Sequence, residues 1–305
     1  MDNKKMYNVM KEDISKNLWK FLKDGSAKIE FVTTVKNGVE REGISLISLQ
    51  EGISASPIVY FEDIISDWVK EDNLEFFKGL ASTLEKESMK ISSGREKILK
   101  KVEERSFYFR LLNAERNKEL LKDVPYLEFF DLVLIPYVIL ENGENGLYST
   151  VAKKDLLKTY NISEAEVIKA CFDNLKGNFM ESNVQSMRET FISMGFGSII
   201  DSLFGSEDNA MIVVTNKNGH YGAVEILRHE VQEKVYQRLG CDFFIIPSSV
   251  HEVLCVPDDG NIKGGRVLQT IREINGTSVI GDEDFLSNSL YKFSRGKGIF
   301  KTETE

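Results

Sequence analysis

The residues best suited to chemistry lie together in one short stretch of the chain. They form a polar link between two apolar, strand-like runs, and they are Ser248, Ser249, His251 and Glu252. An imidazole can take a proton from a hydroxyl, and a carboxylate can orient the imidazole. These four residues are therefore the candidate catalytic residues of a hydrolase.

The spacing within the link supports a structural interpretation as well. Ser249 and His251 are two residues apart, so on an extended chain they project to one face, while Ser248 projects to the other. Glu252 points away from His251 on a strand, and an orienting acid would have to come from elsewhere. In the alternative, which we favour, the serines satisfy backbone groups at the turn and a hydrogen bond holds His251 in place.

Charged residues also interrupt apolar strands in the first half of the chain. Arg110 lies between Phe109 and Leu111, and Asp131 follows two phenylalanines. A charge in such surroundings is costly unless it is paired. Together with Asn113, these residues are candidate ligand-binding residues; the alternatives are side chains that point to water or a structural ion pair.

Composition narrows the function classes. The 305 residues carry a net charge of -9, and 42% of them are hydrophobic. An acidic chain is a poor candidate for general nucleic-acid binding, which needs clustered Lys and Arg. The phosphate-binding loop motif, the G-x-S-x-G elbow and closely spaced zinc ligands are absent. Acidic turns at residues 258–259 and 282–284 lack EF-hand spacing, so we expect no metal and no cofactor.

Cysteines and hydropathy indicate the compartment. Cys171, Cys241 and Cys255 are an odd number, far apart and set among apolar neighbours, which favours reduced thiols over disulfides. The first residues lack an apolar signal core, and the longest apolar run, residues 132–140, is too short to span a bilayer. We expect a cytoplasmic protein that does not interact with membranes.

The elements around the link are predicted from periodicity. Apolar residues at steps of three and four predict a helix over residues 223–239. Residues 211–215, 243–246 and 252–256 are predicted strands of one sheet, against which that helix packs. Met180, Met187 and Met194 are seven apart and predict a buried face of a further helix.

The first half of the sequence predicts a similar mixture of helices and strands. Alternating apolar and polar residues around Asn37-Gly38 predict a hairpin. Residues 74–102 predict a long helix that the Ser92-Ser93-Gly94 stretch interrupts. Residues 107–112 and 131–140 predict buried strands. Two Asn-Gly turns near residue 145 mark a domain boundary. The prediction is an α+β fold with two lobes, residues 1–145 and 146–305, each a small, mostly antiparallel sheet packed with helices.

Several blocks of the sequence resemble one uncharacterised bacterial family, seen mainly in gut Firmicutes: Domain of Unknown Function 5688. The main block is Pro-Ser-Ser-Val-His-Glu-Val at residues 247–253. Residues 110–121 resemble the family's R-L-x-N-x-x-x-N-x-x-L-L segment, and residues 56–60 and 221–223 resemble further blocks. The resemblance covers nearly the whole chain and implies a bacterial cytosolic protein, but it implies no activity.

Two function classes follow from these observations. The first, which we favour, is a non-enzymatic binding or regulatory module with a cleft near residues 247–252 that takes a protein or a small ligand. The second is a hydrolase that uses Ser249 or Ser248 with His251. The two differ in one geometric feature, which is a relay of acid, His251 and serine hydroxyl.

Overall fold

The computed structural model describes residues 3–23, 27–48, 58–70, 73–92, 94–143, 146–193, 211–260, 263–277 and 281–302. The chain has two compact units, Met1–Lys100 and Lys101–Glu305. Helices and mostly antiparallel sheets occur in both, which confirms the α+β class.

Unit 1 contains a three-stranded antiparallel sheet. β1 (Ala27–Lys36) and β2 (Val39–Ser48) form a hairpin, and β3 (Ile58–Tyr60) pairs with β2. Asn37 and Gly38 form the turn with φ angles of 49° and 81°. Both are positive, as the type I′ turn requires. The hairpin predicted from the Asn-Gly pair is therefore confirmed.

Helices cover this sheet and supply most of its core: α1 (Asn3–Asn17), α2 (Phe61–Lys70) and α3 (Asn73–Ser92). The next helix, α4 (Gly94–Glu103), spans the division between the units. The predicted long helix corresponds to α3 and α4, and Ser93, at the predicted break, lies outside the described residues. Buried apolar side chains pack from both layers: Met10, Ile14, Ile44, Phe61, Phe77 and Leu84.

Unit 2 begins with a four-stranded sheet around one long strand, β6 (Leu132–Gly143). β4 (Phe107–Asn113) pairs along one edge of β6; β5 (Leu127–Phe129) and β7 (Gly146–Val151) pair along the other. The strands predicted over residues 107–112 and 131–140 are therefore confirmed. β4 delivers Arg110 and Asn113, and the turn between β5 and β6 delivers Asp131.

Short helices follow these strands: α5 (Lys118–Asp123), α6 (Lys154–Thr159) and α7 (Glu164–Lys176). α7 starts with a capping box, in which the Ser163 hydroxyl accepts from the Glu166 amide and the Glu166 carboxylate accepts from the Ser163 amide. The helix packs on β4, with the rings of Phe109 and Phe172 5.1 Å apart.

The division between the units does not coincide with the boundary predicted at residue 145. It falls at Lys100 and Lys101. β6 and β7, which flank residues 144–145, pair with each other in one sheet. The Asn-Gly signals thus accompany a hairpin of one sheet, since the same turn residues occur in hairpins and at domain boundaries.

The second sheet of unit 2 has six antiparallel strands in the order β13-β12-β10-β11-β9-β8. The strands are β8 (Ser182–Ser186), β9 (Ile212–Asn216), β10 (Phe243–Ile246), β11 (Val253–Pro257), β12 (Tyr291–Ser294) and β13 (Gly298–Lys301). The predicted placement of residues 211–215, 243–246 and 252–256 in one sheet is confirmed. β10 and β11 form a hairpin, and residues 247–252 are its loop.

Helices α8 (Met187–Ser193), α9 (His229–Leu239) and α10 (Gly264–Asn275) accompany this sheet. α9 contacts β8 and β11 and buries Val231 and Val235. A small apolar cavity lies between the two sheets of unit 2, and side chains of both sheets, Leu111 and Ile245 among them, line it.

Two helical predictions are wrong in part. The helix predicted over residues 223–239 consists of a 3₁₀ helix, Gly222–Leu227, and α9, separated by Arg228 in an extended conformation (φ -77°, ψ 130°). The apolar spacing continues across this break because three-residue steps suit a 3₁₀ helix too. Met180 and Met187 do not share a helix, since β8 lies between them; Met194 lies outside the described residues.

Candidate functional site

The link between β10 and β11 is a closed turn. The Ser249 amide donates to the carbonyl of Glu252 at 3.1 Å, and the His251 amide donates to the Ser249 hydroxyl at 3.0 Å. The Ser248 hydroxyl lies 3.4 Å from the Glu252 carboxylate. Each of the three polar neighbours of His251 therefore has a partner within the turn itself.

Both ring nitrogens of His251 are hydrogen bonded. Nδ1 accepts from the backbone amide of Tyr221 at 3.1 Å, and Nε2 lies 3.1 Å from Oδ1 of Asp284. A backbone amide can only donate, so the proton of the neutral ring resides on Nε2 and points to the carboxylate. The side chains of His251 and Asp284 are 30% and 40% exposed.

This geometry differs from the relay of a serine hydrolase. An acid does bond to the imidazole, but the other nitrogen faces the Tyr221 amide rather than a hydroxyl. The Ser249 hydroxyl bonds to backbone and the Ser248 hydroxyl to Glu252. A relay needs a hydroxyl and an acid on opposite nitrogens of one ring.

A second segment, between β9 and the 3₁₀ helix, clamps the link. The Thr215 hydroxyl donates to the carbonyl of His251 at 2.8 Å, and the Ala223 amide lies 3.4 Å from the carbonyl of Val250. Gly222 makes this approach possible. A Cβ there would lie 2.5 Å from the amide nitrogen of Asn216 and 2.7 Å from the carbonyl oxygen of His251.

Tyr221 joins the clamp to an aromatic cluster. Its φ of 54° is in the left-handed region, which costs a residue with a Cβ about 1 to 2 kcal/mol. The ring stacks on His251 with centroids 5.6 Å apart and meets Tyr137 edge to face at 5.3 Å. His220 approaches His251 from another side at 5.6 Å. The side chain of Tyr221 thus bridges the link and the sheet that carries β6.

Arg110 extends this cluster with a positive charge. Its guanidinium lies over Tyr221 at 4.9 Å and over Tyr137 at 6.0 Å. The Nε atom is buried, and no described residue accepts a hydrogen bond from it. Among the described residues Arg110 contacts rings rather than a carboxylate, and burial raises the pKa of the adjacent Tyr137 despite the opposing charge of Arg110. The candidate Arg110 therefore lies next to the link, through Tyr221.

Glu225 is a buried carboxyl that acts electrostatically on Tyr137. It is 1% exposed, and its Oε2 has no hydrogen-bond partner among the residues that the structure describes. Burial raises the pKa of Glu225 to about 7, because Arg228, 4.0 Å away, offsets only part of the desolvation. Arg228 instead bonds to Asn178 and, at 2.7 Å, to the Ser182 hydroxyl. Glu225 is thus a buried group whose charge depends on pH near neutrality.

Asn113 lies away from the His251 ring and connects segments of the chain. Its amide donates to the carbonyl of Leu286 at 3.0 Å, and its side-chain oxygen accepts from the Arg116 amide at 3.0 Å. The side chain therefore ties β4 to the segment that precedes β12.

Asp131 is also separate from the link. Its carboxylate accepts from the hydroxyls of Ser287 (2.6 Å), Ser289 (3.0 Å) and Tyr291 (2.8 Å) and from Lys301 Nζ (3.0 Å). Burial raises its pKa, but these hydrogen bonds and the charge of Lys301 lower it more, so the pKa lies below its usual value. Four donors use the four acceptor positions of a carboxylate.

The described residues offer few side chains suited to metal binding or to thiol chemistry. Within the described ranges, His, Cys, Asp and Glu side chains form no group of three or more that could hold a metal ion. All three cysteines are free; burial raises the pKa of the Cys171 and Cys255 thiols, which makes them poor nucleophiles. None of the helices that the structure describes is sufficiently long and apolar to traverse a bilayer.

Comparison with known proteins identifies the family of this chain. A family model described as "Family of unknown function (DUF5688)" matches residues 7–295. The chain belongs to this family. Searches of curated proteins and of solved structures gave no match. Membership in DUF5688 therefore brings no reaction or ligand with it, and the chemistry has to be argued from the site.

Sequence reasoning did not identify several residues of this DUF5688 site. Asp284 was part of an acidic turn, and Tyr137, Tyr221 and Glu225 carried no motif. The sequence did indicate that an acid other than Glu252 would have to orient His251, but it did not identify Asp284 as that acid. Arg110 was found because a charge in a buried strand requires an explanation.

Proposed function

We propose that the protein is a non-enzymatic binding module whose ligand site lies beside residues 247–252. The observation that supports this proposal is the state of His251. One ring nitrogen bonds to a backbone amide and the other to Asp284, so neither is available to take a proton from Ser248 or Ser249. On this proposal His251 is a structural residue that holds the clamp in place.

The cluster beside the link is suited to recognition. It combines the faces of Tyr221 and Tyr137 with the guanidinium of Arg110, all within 6.0 Å of one another. Aromatic and Arg side chains dominate binding energy at many interfaces because they offer large contact areas with directed polar groups. Because Tyr137 is only 1% exposed, a ligand would contact Tyr221 and the guanidinium of Arg110, while Tyr137 supports the Tyr221 ring from within the fold.

A hydrolase remains the second candidate, because Asp284 lies 3.1 Å from the imidazole and could orient it. In that mechanism the Tyr221 amide must leave Nδ1, and a serine hydroxyl must take its place. Ser249 is the nearer candidate by position, and Ser248 the further one.

The experiment compares stability and turnover for His251→Ala and Ser249→Ala, with His229→Ala as the exposed control. Loss of the His251 side chain leaves the Tyr221 amide and Asp284 without partners, which costs about 1 to 3 kcal/mol. We expect a melting temperature several degrees lower for His251→Ala, no change for His229→Ala, and no parental turnover of esters, amides or phosphoesters.

The opposite pattern would establish the hydrolase. It consists of parental hydrolysis that both His251→Ala and Ser249→Ala abolish while keeping the parental melting temperature. Removing a general base lowers a rate roughly a hundredfold to ten-thousandfold without requiring a loss of stability.

For the location and partners we propose a cytoplasmic protein that binds a small ligand or a protein rather than nucleic acid. Three free cysteines, two of them buried, suit a reducing compartment. The net charge of -9 opposes general contact with a phosphate backbone.

A further inference from the structure

We infer that Arg110 binds a carboxylate, and that the ligand of the module is a monocarboxylic acid with an apolar, planar body. This inference rests on the proposed binding function and specifies the chemistry of that same site. The residues that carry it are Arg110, Tyr137 and Tyr221.

Arg110 differs from other arginines whose side chains are at least partly buried. Arg116 also stacks on a ring, that of Phe285 at 3.9 Å, but its Nη1 donates to the carbonyl of Asp282 at 2.8 Å. Arg228 bonds to Asn178 and Ser182. The hydrogen bonds and ion pairs of the described residues include none from Arg110, although its Nε is buried. A buried Nε–H without an acceptor is costly, and a carboxylate that reaches the guanidinium would relieve that cost.

The acceptor is an anion with a planar fork. The guanidinium presents its donors in one plane, which matches a carboxylate in a bidentate pair. The rings of Tyr137 and Tyr221 lie 6.0 and 4.9 Å from the guanidinium carbon of Arg110 and restrict the motion of this side chain, so less freedom is lost on binding. The donors are thus arranged before the ligand arrives.

A neighbouring acid favours a single negative charge over a phosphate dianion. Asp284 bonds to His251, and the His251 ring in turn stacks on Tyr221, over which the guanidinium of Arg110 lies. One arginine near one carboxylate can balance one added charge, whereas a second added charge would be repelled.

The test uses benzoate as the probe and the full chain as the protein. The side-chain Nε–H signal of Arg110, identified by its loss in Arg110→Lys, is followed by nitrogen–proton NMR during titration with sodium benzoate. Benzamide is the neutral isostere, and phenyl phosphate is the dianion. Arg116→Lys is the matched control, because that residue also stacks on a ring but already donates to a carbonyl.

We expect a saturable shift with benzoate and weaker or no shift with benzamide and phenyl phosphate. Replacing Arg110 by Gln should weaken benzoate binding about tenfold or more, as the loss of a charged hydrogen bond does. Arg116→Lys should bind like the parent. Absence of saturable benzoate binding, equal binding by Arg110→Gln, or tighter binding of phenyl phosphate would each overturn the inference.

These outcomes are separable from a failure of the proposed function. A parent that hydrolyses the substrate panel through Ser249 and His251, yet binds benzoate through Arg110, overturns the binding module and keeps the carboxylate site. A parent that hydrolyses nothing and does not bind benzoate overturns the carboxylate site alone.

Discussion

Asp131→Asn should strongly destabilise the fold of unit 2. The carboxylate accepts hydrogen bonds from Ser287, Tyr291 and Lys301, at 2.6, 2.8 and 3.0 Å, as well as from Ser289. Asparagine keeps one acceptor oxygen, but its amide nitrogen places a donor against hydroxyls that donate to the carboxylate in the parent protein. The ammonium of Lys301, 42% exposed, contributes little. Losing the charged hydroxyl bonds costs about 2 to 4 kcal/mol, or roughly 5 to 15 °C in melting temperature.

The assay is urea unfolding of the parent, Asp131→Asn and the control Asp155→Asn, whose side chain is 96% exposed. The pKa of Asp131 is lowered in the folded state, so its contribution is fully present above the ordinary value of 3.8 and is lost as pH falls through the folded pKa. The difference between parent and Asp131→Asn should therefore be constant from pH 5 to 7 and shrink toward pH 3. A loss below 0.5 kcal/mol at pH 7, or one equal to that of the control, would refute this reasoning.

Two further predictions concern the clamp and the buried acid. Gly222→Ala should lower the free energy of unfolding by about 3 kcal/mol or more, because its Cβ would lie 2.7 Å from the His251 carbonyl oxygen. Gly79→Ala, which has open space around it in α3, should be neutral or stabilising. Chemical unfolding of both variants distinguishes a local clash from a general effect of replacing glycine. Glu225 keeps its proton in the fold up to about pH 7 but releases it near 4.5 when unfolded, so the parent loses stability as pH rises through that window. Glu225→Gln should gain stability relative to the parent between pH 5 and pH 8, and an unchanged difference at the two pH values would contradict the raised pKa.

Local structure was largely predictable from the sequence. Asn37-Gly38 determines its hairpin because both positions need positive φ. The strands around the link follow from short apolar runs, and Ser163 with Glu166 specifies the start of α7. In each case the residues that carry the signal also make the contacts, so distant parts of the chain are not needed.

The site was only half predictable, because its contacts join distant segments. Asp284 lies 33 residues beyond His251, and the partners of Asp131 lie more than 150 residues away. The break at Arg228 was hidden for a related reason. Its side chain is buried by partners on another segment, Asn178 and Ser182, while the apolar spacing around it stays regular. Periodicity reports which face is buried, but it does not report what lies on that face.

Tyr221 connects these observations to function. Its backbone adopts a left-handed conformation that Gly or Asn would tolerate at lower cost. The turn alone therefore gives no reason for a tyrosine. The ring gives one, because it contacts His251 on one side and Arg110 and Tyr137 on others. The hydrogen bond from its amide to Nδ1 stabilises the conformation that presents this ring. On the proposed function, the histidine of the link positions a tyrosine beside an arginine that has no acceptor among the described residues, and a ligand is held there.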